Sequence, residues 1–133
     1  MIGYAMFGSN DLPRALAFYD DLLAVLSAKR MFGDDNFQVY GIDAPSFGIT
    51  KPFNGAPATV GNGAMIALAA PSRATVDAAH AKALALGAAN EGPPGIRGGD
   101  GSDFYAAYFR DLDGNKFCVF KTAPTNRPLL PQA

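Results

Sequence analysis

Apolar positions along the chain change their period several times, and each change marks an element. Residues 2–7 form a short apolar run that ends at Gly8, which reads as a strand. Ser9 or Asn10 then offers a side-chain oxygen to a helix with Pro13 in its first turn. Over residues 11–26, Ala15, Phe18, Tyr19, Leu22 and Leu26 recur at spacings of three and four, giving one buried stripe. Residues 29–32 and 37–42 flank Gly33-Asp34-Asp35-Asn36 as a hairpin, and a further strand covers 46–51. The Pro- and Gly-rich stretch 52–63 reads as a linker. Beyond it come a strand at 64–70 and an alanine-rich helix capped by Pro71-Ser72, running to Leu86 with Gly87 in the left-handed position behind it. Residues 88–102 hold five glycines and two prolines, which predicts a loop and a candidate lid. Strands at 104–110 and 116–121 enclose Asp113-Gly114, a pair suited to a tight hairpin.

The two halves follow the same order, and they share more than order. The strand closing the first half aligns with the strand closing the second: Phe47 with Phe117, Ile49 with Val119, Lys51 with Lys121. One domain is expected, with a first module at about 1–56, a second at about 62–123 and an irregular tail at 124–133. Strand alternation puts Tyr4 and Met6 on one face with Ala5 and Phe7 on the other. It also sets Met65, Ala67 and Ala69 opposite Ile66, Leu68 and Ala70, the latter set suiting a helix-covered face.

At 133 residues the chain is long enough to bury a core without disulfides or a structural metal. Eleven basic against 12 acidic residues leave a net charge of -1, with no block of like charge, which argues against nucleic acid or an anionic membrane as partner. The start lacks the basic and apolar regions of a secretory signal, and a cytoplasmic location is expected. Cys118 is the only cysteine, so no internal disulfide forms.

Two βαβββ modules in tandem, with Asn10-Asp11-Leu12 before a helix containing Ala17-Phe18-Tyr19 and with Arg110-Asp111-Leu112-Asp113-Gly114-Asn115 before the last strand, resemble the vicinal oxygen chelate superfamily of glyoxalases, bleomycin-resistance proteins and extradiol dioxygenases. Pro57-Ala58-Thr59, Gly61-Asn62-Gly63 and Ala70-Pro71-Ser72-Arg73 look like its glyoxalase-like branch. The resemblance implies an α+β fold whose curved mixed sheet forms a cup with helices outside. It also implies a divalent metal held by the first and last strands of both modules, acting as a Lewis acid on two adjacent substrate oxygens. Carried over one by one, the family's ligand positions fall at Tyr4, Gly48, Met65 and Cys118. The histidines usual after Arg97 are replaced by Gly98 to Gly101, with Asp100 the only acid. Phenol, thioether, thiol and a bare glycine do not make the carboxylate or imidazole set that such ions take, so no metal and no other cofactor is expected.

The expected function is therefore binding of a small apolar or aromatic molecule in a cup lined by Tyr4, Met6, Phe47, Met65, Ala67, Phe104, Tyr108, Cys118 and Phe120. Arg97 or Arg110 offers a cation to an anionic ligand. One alternative is a metal-dependent lyase, isomerase or dioxygenase that recruits Asp43, His80, Asp100 or Asp103. Another is a metal-independent enzyme using Tyr4 or Cys118 as acid, base or nucleophile. His80, the only histidine, reads as structural, and Asp111 and Asp113 as turn formers. The resemblance further implies a homodimer, and Leu129 and Leu130 between two prolines read as a surface for a partner.

Overall fold

A computed structural model describes residues 1–122; the tail with Leu129 and Leu130 lies outside the described residues. The chain begins with β1 (Ala5–Gly8) and α1 (Leu12–Ala24). The helix is capped by Asp11, whose carboxylate accepts from the Arg14 amide at 3.2 Å, and not by Ser9 or Asn10. Those two residues have other tasks. Ser9 accepts from the Asp11 amide, while the Asn10 side chain accepts from Ala58 N at 2.7 Å and donates to Ala58 O at 3.0 Å, pinning the segment between the modules. The expected stripe is buried, with Leu12, Ala15, Phe18, Tyr19, Leu22 and Leu23 all facing inward.

Then follow β2 (Lys29–Gly33), β3 (Phe37–Gly41) and β4 (Pro45–Thr50), in a sheet of order β1-β4-β3-β2 with β1 parallel to β4. The second module repeats this with β5 (Ile66–Ala69), α2 (Arg73–Ala85), β6 (Ala89–Arg97), β7 (Phe104–Arg110) and β8 (Lys116–Lys121), ordered β5-β8-β7-β6. Ser72 caps α2 through the Thr75 amide, and Gly87 leaves the helix at φ +105. The fold is thus α+β, built from two tandem βαβββ modules. Among the described residues no helix is long and apolar enough to cross a membrane.

The expected loop and lid at 88–102 are corrected: residues 89–97 are strand β6, at the edge of its sheet and paired, among the described residues, with β7 alone. Pro93 and Pro94 fall between Gly92 and Gly95, where the register shifts and the ladder is interrupted, so their missing N–H groups break no pairing. What remains of the loop, residues 98–103, turns on Gly98 and Gly101 at φ +94 and +78.

The modules join through a single core. Tyr19 of α1 touches both Phe47 (5.0 Å between ring centroids) and Phe117 (5.9 Å), and Phe47 meets Phe117 at 5.3 Å. The equivalent residues of the repeat therefore pack on each other. The hairpin turn between β7 and β8 closes this joint. Buried Asp111 accepts from the amides of Asp113 and Asn115, from the Asn115 side chain and from the Tyr19 hydroxyl. Asn115 donates onward to Gly8 O at 3.0 Å, and Asp113 accepts from the Asn10 amide at 2.9 Å. Burial first, then Asp111 beside it, hold the Tyr19 phenol well above its usual pKa, so it stays a donor. The two aspartates are architectural.

Candidate functional site

Because one core lies against the helix-side faces of both sheets, the opposite face of each sheet lies outside that core. In the first sheet this open face is apolar. Gly48 pairs with Met6 and with Val39. A Cβ on Gly48 would stand 2.9 Å from Met6 Cε and 3.1 Å from Val39 Cγ2, so the methionine already fills the space a side chain there would take. Tyr4 packs edge-on to Phe32 (5.7 Å), and Phe32 to Phe37 (6.0 Å). Tyr4 and Phe32 remain 45% and 42% exposed, an aromatic patch open to solvent. Phe32 and Phe37 were not among the expected site residues; they flank the turn at 33–36, and the pairing of Phe32 with Val39 is the signal that places them. Phe47 lies on the other side of this sheet. It neighbours Gly48, so alternation sends its ring to the helix side, where it is 2% exposed and borders an apolar cavity of about 250 Å³ with Leu23, Tyr40 and Ile66.

The open face of the second sheet has a different chemistry. Strand pairing lines up Ala67, Cys118, Tyr108 and Gly92 in one row and Ala69, Phe120, Ala106 and Gly95 in the next. Phe104 stacks on Phe120 at 5.4 Å. Over the Tyr108 ring stand two cations, the Arg97 guanidinium and the Lys116 ammonium, each 5.6 Å from the centroid. Arg97 reaches there because β6 offers glycines: a Cβ on Gly92 or Gly95 would lie 3.2 or 3.0 Å from a guanidinium nitrogen. Arg110 is otherwise engaged, paired with Glu91 and donating to Gly114 O. Met65, 45% exposed, borders a cleft of about 510 Å³ with the 60–64 segment, Arg110 and Lys116.

The expected site residues therefore divide between two faces. Tyr4 and Met6 belong to the first; Met65, Arg97, Phe104, Tyr108, Cys118 and Phe120 belong to the second. Desolvation raises the Cys118 pKa above the ordinary thiol value, outweighing the Tyr108 hydroxyl and the two cations that pull it down. At neutral pH Cys118 is a buried thiol and a weak nucleophile. Tyr108 is likewise raised, by burial and then by the thiol, and keeps its proton.

The phenol, glycine, thioether and thiol at Tyr4, Gly48, Met65 and Cys118 are not the oxygen and imidazole donors that a divalent ion takes. Among the described residues no three of His, Cys, Asp and Glu gather where they could hold a metal. His80 is buried on α2, its Nε2 within 3.1 Å of Asn90 Oδ1 and 3.2 Å of Tyr108 O, which makes it a structural link between helix and sheet. Asp43 lies in the bend after β3, and Asp100 and Asp103 in the 98–103 loop.

Similarity to known proteins agrees with this architecture. A family model described as the Glyoxalase/Bleomycin resistance protein/Dioxygenase superfamily matches residues 1–119. A glyoxalase/bleomycin resistance protein from Albidiferax ferrireducens is 41% identical, with a TM-score of 0.83 over 92% of this chain and 99% of its own. The fold alone is shared with a glyoxalase-related enzyme from Fulvimarina pelagi (16% identity, TM-score 0.72, 92% and 88% covered). It is also shared with the fosfomycin resistance protein FosX from Listeria monocytogenes (18%, 0.69, 96% and 98%). No curated protein matches the sequence. On the family match over 119 residues and the close structural relative, the chain belongs to the glyoxalase/bleomycin resistance protein/dioxygenase superfamily.

Proposed function

We propose that this protein binds a small apolar or aromatic molecule without a resident metal, in a cup completed by a second copy of the chain. The observation that carries the reading is the content of the open faces. Where a metal-dependent relative would need ligands, this chain has Tyr4, Gly48, Met65 and Cys118, surrounded by Met6, Phe32, Phe37, Phe104 and Phe120. Such a lining favours a ligand by removing apolar surface from water, at about 25 cal/mol per Å² buried.

The second copy enters for a geometric reason. Within one chain the two open faces both lie outside the shared core, and among the described residues β1 and β5 each end a sheet with an unpaired edge. A two-fold pairing that sets the first sheet of one copy against the second sheet of the other encloses both faces, makes two equivalent cups and covers the exposed Tyr4, Phe32 and Met65.

Light scattering tests the assembly, with a mass of twice 13.9 kDa expected. Titration with the uncharged probe 2-naphthol, followed by the methyl signals of Met6 and Met65, tests the cup; both signals are expected to shift. Dialysis against Ni²⁺, Zn²⁺, Mn²⁺ and Fe²⁺ is expected to leave no stoichiometric metal. Retention of one of these ions, lost on Asp100→Ala or Asp103→Ala, would replace this reading with a metal-dependent lyase or dioxygenase.

A further inference from the structure

We propose that the ligand is an anion, an aromatic or aryl-alkyl carboxylate, and that Arg97 and Lys116 hold its acid group beside Tyr108. The inference rests on the proposed cup and names the class of molecule it takes.

Four observations converge on it. First, Arg97 and Lys116 stand over the same phenol ring, each 5.6 Å from its centroid, and among the described residues neither forms an ion pair. Arg110, the neighbouring cation, is by contrast neutralised by Glu91. Two like charges held near one ring repel each other, and an anion held by both relieves that repulsion while gaining charge-assisted hydrogen bonds. Second, the guanidinium has a prepared bed. Gly92 and Gly95 leave the room it occupies, and its Nη2 donates to Pro93 O at 2.5 Å, which fixes its direction before any ligand arrives. Third, Tyr108 keeps its proton, its hydroxyl directed to the Cys118 thiol, so the ring beside the cations carries no charge that would compete with an anion. Fourth, the surface running away from this charged end is apolar: the half-buried stacked pair Phe104 and Phe120, set over buried Cys118 and Ala106, with exposed Ala67 and Ala69 leaving space toward β5. A flat apolar body with an acid at one end matches that order. Lys116 also borders the 510 Å³ cleft beside Met65, which gives a larger body room to extend.

The experiment compares each acid with its uncharged isostere: benzoate with benzamide, phenylacetate with phenylacetamide, and 2-naphthoate with 2-naphthamide. Binding is read by calorimetry and by the ring signals of Phe104 and Phe120. The acids are expected to bind in preference to the amides, more weakly as ionic strength rises. Arg97→Gln and Lys116→Gln are each expected to weaken the acids about tenfold or more, and Lys116→Arg to retain them. Circular dichroism of each variant separates lost binding from lost folding, and the salt dependence of the wild type tests the charge without any substitution. Equal binding of acids and amides, or acid binding that ignores both substitutions and salt, overturns this inference and leaves the apolar cup standing. Failure of all six probes together with 2-naphthol overturns both.

Discussion

The open faces of the two sheets occupy the same places in a repeated module and share almost no chemistry. In register, Met6 corresponds to Ala67, Gly48 to Cys118, and Val39 to Tyr108. The first sheet puts its bulk on the outer strand and none in the middle, so Met6 lies down over Gly48 and the face is sealed with hydrocarbon. The second reverses the order, with alanine outside and a thiol, a phenol and two cations farther in. On the helix side nothing comparable has happened, for Phe47 and Phe117, and Ile49 and Val119, are equivalent and all buried. The core fixes what the modules must share, because each aromatic packs on its counterpart. The open faces lack that constraint and have diverged.

Substitutions that contrast the two sides of one strand test this most severely. Phe117→Ala is expected to destabilise the fold by about 3–5 kcal/mol, while Phe120→Ala, on the open face of the same strand, costs about 1 kcal/mol; denaturant titration distinguishes them, and equal losses would break the contrast. Next in size is Asp111→Ala. It leaves the Tyr19 hydroxyl and the Asn115 amide without their shared acceptor and is expected to cost roughly 2–3 kcal/mol, against about 1 kcal/mol for Tyr19→Phe. Gly48→Ala probes the sealed face, where a new methyl must displace the flexible end of Met6, at an expected cost of about 1 kcal/mol that Met6→Ala relieves. The smallest effect is on pH dependence. Burial raises the Cys118 pKa in the folded protein above the value of 9.0 for a free thiol. The folded state therefore holds that proton more tightly, and its contribution is present below pH 9 and lost as pH rises through the folded pKa. Wild type should lose stability relative to Cys118→Ala over that alkaline window, and a gain there would show a thiolate stabilised by Arg97 and Lys116.

Much of the fold was legible in the sequence because its signals are local. Spacings of three and four located α1, Ser72 and Gly87 bounded α2, and the alignment of Phe47 with Phe117 gave the repeat. Strand β6 was not legible, since Gly92-Pro93-Pro94-Gly95 has the composition of a loop, and only its position at a sheet edge lets a strand carry it. Alternation placed Tyr4, Met6, Met65 and Cys118 on open faces, yet it carries no information on what those faces look toward. That depends on the joint between modules. The grouping of Arg97 and Lys116 over Tyr108 needed the β7–β8 register and the bulge in β6, both set by pairing between distant residues.

The turn at 111–115 has a consequence for how the chain acquires its structure. Asn10 and Asp113 are 103 residues apart, and the bond between them, with that from Asn115 to Gly8, finishes the entry to α1. On the ribosome, the first helix must wait until nearly the whole chain has emerged before its start is tied down. Duplicated modules joined in this way lose the independence of beads on a string, and the two halves should unfold in one transition, with the last hairpin acting as the clasp.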